Sequence, residues 1–198
     1  YSEADIQPCL EYFSKQFAAI TDKEQGAYCT VFRLHMDPCW TNDPAKKAEN
    51  EADISAFNMA RYRLYLQKLY IPLIKDAIAH GLYVIVRPPG VCPGDISVGD
   101  KYNRYLKAIW KAFAEDEYIQ QNEGVISIEL ANEPVRVHLE DGSNSDKALH
   151  DFFQPVVDEI RAQGFKGIIW VPAIRASMRT TPSILSPTVR IISRMPYM

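Results

Sequence analysis

V-I-S-I-E-L-A-N-E-P, residues 125–134, is the stretch on which the reading of this chain turns. A short run rich in Val and Ile reads as a buried strand. Asn132 and Glu133 close it, and Pro134 ends the strand pattern. A carboxylate delivered at the C-terminal end of a buried parallel strand is where an α/β barrel places its chemistry.

Working outward, helical and strand periodicities alternate. Leu10, Phe13, Phe17 and Ile20 share one face over 8–20. Residues 28–34 read as a strand. A helix is predicted over 57–80, with Leu66, Leu69, Leu73, Ile74 and Ala77 on its stripe and Gly81 behind it. The strand 82–87, L-Y-V-I-V-R, stops at Pro88-Pro89-Gly90. Helices follow over 101–114 and 146–163, and the last strand is 167–172, G-I-I-W-V-P. Pro72 and Pro155 fall inside predicted helices and should bend them or mark a first turn.

The result is α/β, with apolar strands suited to a parallel sheet under helices. Long loops follow the strands, at 37–56 and 88–100, and short ones precede them. That asymmetry favours a (β/α) barrel. A doubly wound sheet is the other architecture, but no Gly-rich phosphate loop follows any strand.

The chain has 198 residues, enough for one domain with a real core, and a formal net charge of -3. Nothing globally basic points to nucleic acid. No apolar run is long enough for a membrane span, and no signal peptide is visible. Cys9, Cys29, Cys39 and Cys92 fit no zinc spacing. Cys39 and Cys92 each follow a strand and could form a disulfide. Four free buried thiols is the other reading. No His/Cys cluster argues for a metal, and no cofactor is expected.

Residues 173–198 differ in character. They hold four Arg and no Asp, Glu, Lys or Gly, which leaves 18 basic against 25 acidic residues, a net charge of −7, in 1–172. Two readings stand: a disordered basic arm, or a tail translated out of frame. Codons compatible with the tail, read two bases on, permit a string that regains Asp, Gly and Tyr and closes on a strand-like segment with a His. On either reading the barrel portion is 1–172.

V-F-R-L-H-M-D-P-C-W (31–40), L-Y-V-I-V-R-P-P-G (82–90) and I-E-L-A-N-E-P (128–134) together resemble an internal part of glycoside hydrolase family 5, the cellulase-type endoglucanases. The resemblance covers about residues 8–172. It implies a (β/α)8 TIM barrel of which strands two to five are present, and endo-acting, retaining hydrolysis of a β-1,4-linked polysaccharide, with cellulose-like β-glucan as the first guess. Mannan, xylan and xyloglucan remain open. It also implies a secreted protein, extracellular or periplasmic.

Glu133 is then the acid/base, protonating the leaving oxygen and afterwards activating water. Asn132 would bond the sugar 2-hydroxyl. Arg33 is a site-facing arginine that, in a buried strand, needs a carboxylate partner. Glu129 is read as such a partner for Arg33 or Arg87, in a structural role. Arg87 departs from the pattern, since many members carry His there. His35 and Trp40 follow the second barrel strand. Trp40 is read either as a sugar platform or as packing under a loop. His138 and His150 are read as surface residues. The family nucleophile, a Glu on strand seven, has no counterpart within 1–172. The expectation for the polypeptide alone is little or no hydrolysis, and self-association through exposed sheet edges. A non-catalytic glycan binder is the competing reading.

Overall fold

The structure is a computed structural model that describes residues 1–26, 28–143, 146–172 and 189–192. Helix α1 (Ile6–Thr21) buries Phe17 and lays Leu10, Phe13 and Ile20 against the core. Strand β1 (Val31–His35) follows and leads into the short α2 (Pro38–Thr41).

The helix expected over 57–80 is broken into three pieces. These are α3 (Met59–Tyr65), a π-helical turn at Leu66–Tyr70, and α4 (Ile71–Ala79). Pro72 supplies the physical reason. It sits in the first turn of α4 and has no N–H for the ladder, and the wider turn upstream carries the backbone past it. The apolar stripe survives the break, with Leu66, Leu69, Leu73, Ile74 and Ala77 all buried.

Strand β2 (Tyr83–Arg87) is followed by the three-residue β3 (Asp95–Ser97) and by α5 (Lys101–Ala114). Asp100 caps α5, its side chain accepting from the Asn103 amide at 2.7 Å. Then come α6 (Glu117–Gln121), β4 (Ile126–Glu129), β5 (Arg136–His138), α7 (Asp146–Ala162) and β6 (Ile169–Pro172). Pro155 lies inside α7 without ending it. Most of the 173–198 tail lies outside the described residues. Its residues Val189–Ile192 run as β7, paired parallel to β6 with Ile169 beside Val189.

The main sheet is parallel throughout, in the order β1-β2-β4-β6-β7. Spatial order follows chain order, so there is no switch point where the winding reverses. That is the topology of a barrel wall and not of a doubly wound sheet. Register runs Leu34–Val86–Ile128–Ile169 across four strands. These residues and their alternates, Val84, Ile126 and Val171, are almost completely buried beneath the helices. The opposite face carries Arg33, Ile85 and Ser127 in one row, with His35 and Arg87 in the next toward the strands' C-terminal ends.

Strand β7 was not expected, since 167–172 was read as the last strand, and two further features were not expected either. Strands β3 and β5 form their own parallel pair, Ile96 beside Val137, and so tie the loop after β2 to the loop after β4. Three buried tyrosines behind the loops also anchor backbone. Tyr70 Oη donates to the Asp37 carbonyl at 3.1 Å, Tyr105 Oη to Pro89 at 2.9 Å, and Tyr62 Oη to Ile109 at 3.2 Å.

Candidate active site

The C-terminal ends of β1, β2 and β4 converge on one carboxamide. Arg33 grips Glu129 in a two-pronged ion pair, Nε to Oε2 at 2.6 Å and Nη2 to Oε1 at 2.5 Å. The same Nη2 donates to Asn132 Oδ1 at 2.9 Å. Arg87 Nη1 donates to that oxygen as well. Two guanidinium groups therefore share one amide oxygen. A carboxamide has acceptors only on Oδ1 and donors only on Nδ2, so this pairing assigns the amide's orientation.

Glu129, Arg87 and Asn132 are buried. Arg33 is not. Its side chain is 45% exposed against 10% for Glu129. The expectation of a buried Arg33 is corrected: β1 has a strand neighbour on only one side among the described residues, so the guanidinium lies partly open to solvent. The expected partnership with Glu129 is present. Its hydrogen bond, and next the Glu129 charge, hold Arg33 above the usual arginine range against the opposing pull of burial, with a further contribution from Glu133. Arg87 is pulled below its usual value, first by burial and then by Arg33, with Glu129 and Glu51 opposing.

Glu133 follows Asn132 directly. It is exposed, and its backbone sits in the left-handed region at φ 51°. For a non-glycine residue that conformation costs about 1 kcal/mol or more, and it persists only where the surroundings impose it. Here they do. The Leu130 amide donates to Trp170 O at 3.1 Å, Trp110 Nε1 to Leu130 O at 3.0 Å, and the Cys92 amide to Asn132 O at 3.2 Å. On the far side, β5 is held by β3. The turn at Glu133 is thus clamped from both ends, and its carboxylate lies near enough to Arg33 to act on it electrostatically.

The loop after β1 comes over the same strand ends through a glycine contact. Gly90 has φ 76°, and a Cβ there would lie 2.3 Å from the Glu51 carbonyl oxygen, so no other residue fits. The Val91 amide closes the contact by donating to that oxygen at 3.1 Å. Glu51 acts electrostatically on both His35 and Arg87. Sequence reasoning missed Glu51, since its position depends on a backbone contact that leaves no local pattern. His35 pairs in register with Arg87. Burial first, then Arg87, hold its imidazole below the ordinary value, with Glu51 and Asp37 pulling the other way. Its Nε2 is buried without a hydrogen-bond partner among the described residues.

Trp40 sits beside this group, sharing a cavity wall with Arg33 and His35. It is 5% exposed, with Tyr1 at 4.8 Å and Tyr65 at 5.0 Å between ring centroids. Of the two roles expected of it, packing under a loop is the one its surroundings match. It also forms part of the wall of a cavity of about 610 Å³ beside β1, with Phe32, His35 and Asp37. His138 Nε2 meets Asp95 at 2.8 Å and His150 Nδ1 meets Asp151 at 3.1 Å, both outside the Asn132 cluster. All four cysteines are free, Cys39 exposed and Cys92 buried. Burial pushes the Cys92 thiol up to about 12. Among the described residues no group of three His, Cys, Asp or Glu is arranged to hold a metal, and no helix is long and apolar enough to cross a membrane.

The family model for cellulase (glycosyl hydrolase family 5) matches residues 14–192. The chain belongs to glycosyl hydrolase family 5. Three solved structures agree with the fold of this family 5 chain. One is a thermostable and highly halotolerant GH5 cellulase from an Icelandic hot spring isolate, 21% identical, TM-score 0.58, covering 94% of this chain and 51% of its own. Another is Cel5A (EG2) from Hypocrea jecorina (Trichoderma reesei), 17% identical, TM-score 0.54, covering 82% and 48%. The third is XacCel5A in complex with cellopentaose, 16% identical, TM-score 0.52, covering 90% and 54%. The chain thus spans about half the length of the structures it matches, and its parallel strands are an arc of the family's TIM barrel. Among curated proteins the comparison finds no match.

Proposed function

We propose that this chain carries the acid/base side of an endo-acting β-1,4-glucan hydrolase that works with retention. The observation that carries the reading is Glu133 itself. It is an exposed carboxylate at the C-terminal end of a barrel strand, in a left-handed backbone clamped on both sides, beside a carboxamide oriented by two arginines. Strain of that kind is retained where a side chain must be aimed.

In this role Glu133 protonates the glycosidic oxygen as the bond to the leaving sugar breaks. It then takes a proton from the water that releases the second product. Asn132 donates from Nδ2 to the sugar 2-hydroxyl, a contact that strengthens as the ring approaches the oxocarbenium-like transition state. Arg33 carries a positive charge on the open face, where it would attract the second carboxylate. That nucleophile, about 5–5.5 Å from the acid in a retaining site, comes from outside residues 1–172 on this reading. Residues 1–172 form the main barrel portion, and Val189–Ile192 of the tail extend its sheet as β7. The substrate is cellulose-like β-glucan, the cell compartment is extracellular, and no cofactor takes part.

A binding role without turnover is the second reading. It is favoured by the openness of the sheet face beside Arg33. Hydrolysis of cellopentaose by a full barrel that joins residues 1–172 to the strand bearing the second carboxylate, and by its Glu133→Gln variant, separates the two. Turnover that falls by about 10²-fold or more in the variant, with affinity kept, supports the hydrolase. Binding by both proteins with turnover by neither supports the binder.

A further inference from the structure

Arg87 is placed at a cost that packing does not explain. It is 7% exposed, yet its Nε is buried without a hydrogen-bond partner among the described residues. A buried donor left unmade is destabilising. Its Nη1 shares an acceptor with Arg33, so two like charges crowd one oxygen. Glu129, whose charge also acts on Arg87, is already taken by both prongs of Arg33. An apolar side chain of similar length would avoid both penalties. Local rules broken without a compensating gain in stability are a mark of functional sites.

What Arg87 obtains is control of one amide. With Arg33 as sole donor, Asn132 Oδ1 would hang on a partly exposed side chain on the edge strand. Arg87 comes from the neighbouring interior strand and is anchored by its burial. Both oxygen lone pairs are then occupied, and the carboxamide has no reason to rotate. Nδ2, from which no described residue accepts, is the donor the amide keeps in reserve once Oδ1 is held. We propose that Arg87 is a positioning residue that, together with Arg33, holds the Asn132 carboxamide so that Nδ2 is presented to a hydroxyl of the glycan.

This inference rests on the glycan-binding part of the function proposed above. It makes an unusual pair of demands. Arg87→Met removes the crowded charge and the unmade bond, so its thermal midpoint stays level with the parent or rises. Its affinity for cellopentaose nevertheless falls about tenfold, because an amide free to turn presents its oxygen part of the time. Asn132→Asp still accepts from both arginines and folds at least as stably, but has no donor to offer, and loses affinity by a similar or larger factor.

The test is a calorimetric titration of cellopentaose into the parent chain, Arg87→Met, Asn132→Asp and the double variant, with thermal unfolding of each. The expected result is that the double variant binds no more weakly than Asn132→Asp alone, because Arg87 acts only through Asn132. Arg87→Lys, which keeps a charged N–H donor group, should recover part of the affinity. Losses that multiply in the double variant overturn the proposal, since Arg87 would then touch the sugar itself. An Arg87→Met protein that binds as the parent does, or that is less stable and weaker in proportion, overturns it in favour of a structural role. A parent chain that does not bind cellopentaose overturns the underlying glycan reading, and the positioning role with it. The remaining outcomes spare that reading and concern Arg87 alone.

Discussion

The two faces of one parallel sheet behave as different materials. On the helix side, Leu34, Val84, Val86, Ile126, Ile128, Ile169 and Val171 are buried to within 2% of complete. On the other, Val31, Tyr83 and Ile168 stand 48%, 55% and 42% exposed, and the charged cluster occupies the strands' C-terminal ends. Period-two alternation puts neighbouring residues of the same strand into these two environments. The first face supplies the hydrophobic stabilisation. The second supplies chemistry and costs stability to hold.

Core truncation should give the largest contrast. Ile128→Ala, on the covered face, is expected to lower the unfolding free energy by about 2–5 kcal/mol in urea. Tyr83→Thr, on the open face, should stay within about 0.5 kcal/mol. Equal losses at the two positions would remove the distinction.

Smaller is the effect of the ion pair that links β1 to β4. Glu129→Gln leaves the guanidinium with a neutral acceptor. Because Arg33 is nearly half exposed, solvent screens much of the charge. A loss of about 1–2 kcal/mol in urea denaturation is expected, less than for breaking a fully buried pair. A loss as large as that of Ile128→Ala would show that the open face carries the fold as well.

Smaller again is a pH effect at His35. Its imidazole is held below the ordinary value in the folded chain by burial and by Arg87. The unfolded chain therefore binds a proton first as pH falls. Stability from this group is full above about pH 6.5 and is lost as pH drops through the lower folded value. His35→Gln should flatten that part of the stability–pH curve between pH 6.5 and 4. An unchanged slope would show that His35 is not held below its ordinary value in the folded chain.

The least effect on stability belongs to the exposed apolar residues. Val31→Thr with Tyr83→Thr should leave the melting temperature nearly unchanged while lowering self-association in sedimentation velocity. Association at the parent's level would place the contact elsewhere.

Much of the covered face was legible in the sequence. The 101–114 helix matches α5 end to end, because Asp100 caps it and its apolar positions repeat cleanly. The break at Leu66–Tyr70 was signalled by Pro72, although its form, a π turn, was not. On the open face, the Arg33–Glu129 pair could be argued from the cost of an unpaired charge. The shared hold on Asn132 could not, since it depends on where three strand ends meet. The β3–β5 pair escaped because D-I-S and R-V-H are too short to show alternation against the surrounding loop. Packing of Trp40 under a loop was one of its two readings, but the choice was not legible, because the rings that enclose it come from the chain's first residue and from α3.

The most direct measurement is a two-dimensional NMR titration of the chain with cellopentaose, observing arginine and asparagine side-chain N–H groups together with the methyls of the covered face. Shifts are expected at Arg33, Arg87, Asn132 and the Glu133 amide, with Val84, Val86, Ile128 and Ile169 methyls unmoved. Shifts led by the helix-side methyls, or saturation with no change at Asn132, would contradict that expectation.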